Sequence, residues 1–174
     1  MSLASLHTSR EQIEVHRFNL ATAIGVPLLA LFLQAFVPLK LHFFSVFDVP
    51  LLVTIFFAVA RRSPVSGLLT GGLIGLAQDS ITHQPIGLYG IAKTVIGYAA
   101  SSLGMKLDVE NPGSRLLMIW AFYIVHQVLY FAVARGLLGQ TLELRWGYIL
   151  VTGLANGLLS VVLFALLDQL KERR

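Results

Sequence analysis

The sequence predicts an all-α integral membrane protein folded as a six-helix transmembrane bundle. Three observations predict it. The chain of 174 residues is 56% hydrophobic and 13% charged, with mean hydropathy +0.75, whereas a soluble domain carries about 25% charged and roughly 45–50% apolar residues. The apolar residues fall in long runs separated by short connections, and the basic residues sit in small clusters between those runs. This composition excludes a water-soluble globule, a disordered tail and a disulfide-stapled secreted module. The length predicts a single domain. With no cysteine, thiolate catalysis and cysteine-ligated metal sites are excluded. The pI near 9.7 reflects membrane topology, since no basic face with interleaved aromatics marks a nucleic-acid surface.

A spanning helix needs about 20 mostly apolar residues to cross a core of about 30 Å. The first span runs from Phe18 to about Leu39 without a charge. It is too long for the apolar core of a cleaved signal, and no small-residue cleavage site follows it. The second, Phe43 to Ala60, opens with Asp48 and Pro50 and stops at Arg61–Arg62. The third, Pro64 to about Gln78, is short and rich in glycine. The fourth runs from Ile86 to Met105, the fifth from Leu116 to about Ala134, and the sixth from Gly147 to Leu167. The second and third are short enough to be tilted, broken or re-entrant. Residues 1–17 form a polar lead and residues 168–174 a basic tail, with no soluble domain on either face.

Six spans place the N-terminus, the second–third and fourth–fifth connections and the C-terminus on one side. That side holds Arg10, Arg17, Arg61, Arg62, Lys106, Arg115, Lys171, Arg173 and Arg174, against Lys40, Arg135 and Arg145 opposite and Lys93 within the fourth span. The positive-inside rule then puts both termini in the cytoplasm.

Two groups of residues are candidates for a working role. Helices in lipid associate through close backbone packing, and small residues permit it. Gly67, Gly71 and Gly75 form a ridge on the third span, with Gly72 beside it. Gly90, Gly97 and Gly104 lie on one stripe of the fourth, and Gly153 and Gly157 notch the sixth. These ridges serve either internal packing or docking of a partner helix. The second group is ionisable or polar: Asp48, Asp79 and Lys93 at similar depth in the outer third, and His126 and Asn156 near the midplane. An ionisable group inside a span costs roughly 2.5–3.5 kcal/mol and usually faces the bundle interior. Lys93 is expected to pair with Asp79 or Asp48, the bland alternative being that each snorkels to the headgroups. His126 is expected to be a hydrogen-bonded neutral imidazole, with Asn156, Gln127, Tyr123 or Tyr130 as partner.

Signatures of chemistry are thin. Asp79, Ser80 and His83 are neighbours in sequence, but a triad converges from separate elements. Asp48, Asp79 and His83 have no metal-ligand spacing, and no glycine-rich stretch ends in the Gly-Lys-Ser/Thr of a phosphate loop. The sequence therefore predicts no enzyme, no metal and no cofactor.

The stretch from Asp48 to Leu52 (Asp-x-Pro-Leu-Leu), the apolar run to Arg61–Arg62, then Gly71, Gly72, Gly75, Leu76-Ala77-Gln78-Asp79, Pro85, Gly87, Leu88 and Gly97-Tyr98 resemble the MreD family of bacterial rod shape-determining membrane proteins. The likeness is carried by residues 45–105, and by hydropathy alone in the last two spans. Lys93 lies outside the family pattern. The resemblance implies a fold similar to the membrane substrate-binding subunits of vitamin importers. It also implies a non-catalytic inner-membrane scaffold of the cell-wall elongation complex. The implied partners are the transmembrane helix of MreC, the filament protein MreB, and the wall synthase RodA with its partner transpeptidase.

Within that reading, the face carrying Gly67, Gly71 and Gly75 is the expected dock for MreC, and the basic clusters are expected to contact lipid. The alternative, from another class, is the solute-binding membrane subunit of an energy-coupled vitamin transporter. There Asp48, Asp79, His83 and Lys93 would meet a polar substrate.

Overall fold

A computed structural model describes residues 18–104 and 111–170. The N-terminal lead (1–17), Lys106 and the basic residues Lys171, Arg173 and Arg174 lie outside the described residues. Six α-helices make up the described chain: α1 (Leu20–Phe36), α2 (Val49–Arg61), α3 (Pro64–Ile81), α4 (Leu88–Gly104), α5 (Pro112–Gly136) and α6 (Trp146–Asp168). No strand is present among the described residues.

Local chemistry sets the ends of these helices. The side chain of Asn19 accepts from the Ala21 amide to cap α1. The helix tightens into a 3-10 turn at Val37–Leu39, where Pro38 has no N–H with which to continue the α-helical ladder. A second 3-10 helix, His42–Val46, follows. Asp48 caps α2 by accepting from the Leu51 amide at 3.0 Å, and Pro50 occupies the first turn, where its missing N–H is harmless. Arg62 ends α2 in the left-handed region at φ 49°. Ser63 and Pro64 restart the chain at once as the cap and first residue of α3. Asn111 and Pro112 open α5 in the same way.

The second span departs most from expectation. Its first third, from Phe43, is not α-helical, and α2 proper has 13 residues, about 20 Å of helix. That is too short to cross a bilayer core alone. Every residue from Val49 to Ala60 is buried, as expected of a helix that is apolar on all sides. α2 is thus the central post of the bundle, contacted by the other five helices. Conversely, α3 extends beyond the expected end to 18 residues, and α5 is extended at both ends.

Among the described residues, three stretches are long and apolar enough to cross a membrane: Leu20–Leu39, Pro112–Gly136 and Trp146–Asp168. Large apolar side chains on the outer helices, among them Leu28, Phe32, Leu73, Val151, Leu158 and Val162, are more than half exposed in the isolated chain. A greasy exterior around a packed interior identifies a membrane protein.

Candidate functional site

The interior holds a polar junction at which five helices meet. Lys93 of α4 is fully buried and donates from Nζ to both Asp48 carboxylate oxygens, at 2.7 and 2.8 Å. The Asp48 backbone amide donates to Oδ1 of Asn156 on α6 at 2.9 Å. The Asn156 side-chain amide donates in turn to the carbonyls of Val46 and Thr152. Gln34 of α1 accepts from the next backbone amide, Val49, at 3.1 Å. His126 of α5 completes the group with Nε2 4.0 Å from Asp48 Oδ2. Neither His126 ring nitrogen reaches a hydrogen-bond partner among the described residues. Its ring stacks on Tyr89 with centroids 6.0 Å apart, and Lys93 Nζ lies 5.2 Å from the same Tyr89 ring.

The positions of these groups follow from the helix ends. His126 lies ten residues before Gly136, and Asn156 ten residues after Trp146, about 15 Å of helix in each case. The short 3-10 connection lets Asp48 descend to that level, so α2 begins inside the bundle. A buried charge is tolerated only where it is paired and hydrogen-bonded. Asp48 has its ammonium partner and the α2 capping amide, and Lys93 has both carboxylate oxygens.

Asp79 does different work. Its carboxylate accepts from the amides of Gly87, Tyr89 and Gly90, at 2.9, 2.9 and 3.1 Å. Three otherwise orphaned donors at the start of α4 are thereby satisfied, and the negative charge sits at the positive end of the helix dipole. Gly87 has φ +102°, which a side chain would strain. The spaced Gly…Asp…Pro-x-Gly pattern is therefore a clasp joining the end of α3 to the start of α4.

The glycine ridge of α3 lies against α4. A Cβ at Gly67 would overlap the Gly97 carbonyl, one at Gly71 the Lys93 carbonyl, and one at Gly75 the Tyr89 carbonyl. From the other side, a Cβ at Gly97 would overlap the Gly67 carbonyl, and one at Gly90 would press on the Leu76 side chain. Gly104 packs on Val59 of α2. On α6, Gly153 receives the rings of Trp120 and Tyr123, and Gly157 faces Leu116, all from α5. A further ion pair, Arg115 to Asp168 at 2.7 Å, ties the start of α5 to the end of α6.

Several expectations change on this geometry. Lys93 pairs with Asp48 and not with Asp79, because the Asp79 oxygens are occupied by the α4 amides. Neither Asn156, Gln127, Tyr123 nor Tyr130 bonds to His126. Asn156 is taken by backbone groups of the Val46–Asp48 connection, and Gln127 donates to the Tyr123 hydroxyl at 2.8 Å. The face of Gly67, Gly71 and Gly75 has no room for a partner helix, since α4 fills it. The outer set named for a polar solute is split: Asp48 and Lys93 engage each other in the interior, while Asp79 binds backbone.

Gln34 and Tyr89 were not anticipated. The signal for Gln34 was a lone amide near the end of an otherwise apolar run. Tyr89 carries no comparable signal, because an aromatic near a helix start usually marks the membrane interface.

The family model described as "rod shape-determining protein MreD" matches residues 16–171. The chain belongs to the MreD family. No curated protein and no solved structure matches it. MreD membership assigns a role in the determination of rod shape, as a structural protein of the shape-determining system. The residues that carried the resemblance now have physical roles. Asp48 is the anion of the junction, Gly71 and Gly75 are the seam, and Asp79 with Gly87 is the clasp of this MreD-family chain.

Proposed function

We propose that the protein is a non-catalytic scaffold of the cell-wall elongation complex, embedded as six spans in the inner membrane with both termini in the cytoplasm. It holds the MreC transmembrane helix and connects it to MreB on the cytoplasmic side, and to RodA and its partner transpeptidase. On this reading the fold is similar to that of the membrane subunits of vitamin importers, with the interior given over to structure. The observation that carries the proposal is the junction itself. Gln34, Asp48, Lys93 and Asn156 bond across four helices and around a central post, which makes a rigid body suited to positioning others.

Because α4 occupies the α3 ridge, MreC is assigned to α1. Only 11% of the α1 span is buried, against 28% for α5 and 39% for α6. A Cβ at Gly25 meets nothing within 4 Å, and Ala21 one turn earlier is exposed as well. Close approach of a second helix requires such an open notch. The test is co-purification of MreC with Gly25→Leu in mild detergent. The variant is expected to express normally and to lose MreC, and full retention would remove α1 from consideration. Orientation is tested separately. The chain has no cysteine, so single cysteines at positions 140 and 174 report directly on sidedness. Labelling of position 174 by an impermeant maleimide in intact cells would overturn the cytoplasmic assignment.

A further inference from the structure

At the end of the bundle where α5 stops and α6 begins lies a groove of about 400 Å³. Val128, Phe131 and Ala132 of α5 form one wall, and Leu142 and Leu144 of the connection form the other. Arg135 and Trp146 also line it. Arg135 stands in the last turn of α5 and Trp146 is the first residue of α6, so both mark the level at which the apolar run ends. From Val128 to Arg135 the α5 wall rises seven steps, about 10 Å of helix.

The lining is apolar below and cationic above. The guanidinium of Arg135 makes no ion pair among the described residues. The only other charges nearby in the chain, Glu143 and Arg145, have opposite sign and cancel. A guanidinium presents paired donors that match a phosphate. Tryptophan at the end of a span sits among headgroups, and a guanidinium at that level offers paired donors to an anionic lipid head whichever leaflet it faces.

We propose that this groove binds one anionic glycerophospholipid. Its acyl chain lies along Val128, Phe131 and Ala132, its phosphate sits on Arg135, and its glycerol region lies beside Trp146. The simpler role for Arg135, favourable charge at a helix C-terminus, predicts no lipid preference and is separated by the test.

Trp146 is itself the reporter. The chain has two tryptophans, so Trp120→Phe leaves Trp146 as the sole tryptophan, read by excitation at a wavelength that tyrosine does not absorb. The whole protein is reconstituted in vesicles of phosphatidylcholine with increasing dibrominated phosphatidylglycerol. The converse series uses dibrominated phosphatidylcholine in phosphatidylglycerol. Brominated phosphatidylglycerol should quench Trp146 with about a fivefold preference, the ratio that about 1 kcal/mol for one basic side chain near the surface provides. Arg135→Ala should bring the preference to one, and Arg135→Lys should retain part of it. Inorganic phosphate at millimolar concentration should not compete, which distinguishes a lipid from a free anion. Equal quenching by both lipids in the unmodified groove would overturn the proposal and leave the groove to a protein segment. An unchanged preference in Arg135→Ala would overturn it equally. If Trp120→Phe disturbs folding, native mass spectrometry of retained lipid decides, wild type against Arg135→Ala: phosphatidylglycerol must be retained by the first and lost from the second.

Discussion

Replacing Lys93 with methionine removes the ammonium bonded to a buried carboxylate while roughly keeping the volume of the side chain. In the native chain Asp48 receives two hydrogen bonds from Lys93 Nζ and one from the Leu51 amide, with its side chain 13% exposed and that of Lys93 fully buried. Lys93→Met leaves the carboxylate with the capping amide alone. Asp48→Asn leaves an ammonium facing an amide. Breaking one side of a buried pair costs about 3–5 kcal/mol, whereas replacing both sides is often neutral. For a chain of this size about 1 kcal/mol moves the unfolding midpoint by roughly 2–4 °C. Each single variant should therefore melt about 6–20 °C below wild type in detergent. The double variant Asp48→Asn/Lys93→Met should recover most of that loss, because asparagine still caps α2 and no unpaired charge remains. If both single losses nearly vanish in the double variant, the coupling approaches their sum, about 6–10 kcal/mol. Lys93→Met combined with Asp79→Asn should show no recovery. Losses that add within about 0.5 kcal/mol in the Asp48–Lys93 cycle would refute the junction, and recovery in the Asp79 cycle would relocate it.

Three further outcomes follow from the same geometry. Asp79→Ala strips three amides at the α4 start of their acceptor and should cost about 1–3 kcal/mol, read as a lower melting midpoint; Asp79→Asn should lose less. Gly71→Leu places a side chain against the Lys93 carbonyl, so it should abolish the monodisperse peak in size-exclusion chromatography. Gly136→Ala, where a Cβ meets nothing within 4 Å, should leave that peak unchanged. Arg62→Gly relieves a left-handed conformation at the α2 terminus and should raise stability by about 0.5–1 kcal/mol, seen as a higher midpoint with no change in partner capture.

Much of the site was legible in the chain as written. An aspartate, a lysine, a histidine and an asparagine inside apolar runs stand out, because lipid gives them no other partner than each other or the backbone. The glycine spacing of α3 and α4 was equally plain. What could not be read was the match between them. Spacing marks Gly67, Gly71 and Gly75 as a surface for close approach, but it does not say whether the approaching helix comes from the same chain. Asp79 and Asp48 were equivalent candidates for Lys93 until the α4 amides claimed one of them.

The sequence alone determined that this is a bundle of apolar helices with small-residue seams and a few interior charges. Those properties follow from transfer costs and local caps, which depend on residue type and near neighbours. Only the tertiary structure decided that α2 is a short central post, that Asp48 begins inside the bundle, and that Lys93, His126, Gln34 and Asn156 converge on it. These depend on how far the 3-10 connection descends and on which helix lies beside which. Such distances arise from packing between residues remote in the chain, and no local pattern encodes them.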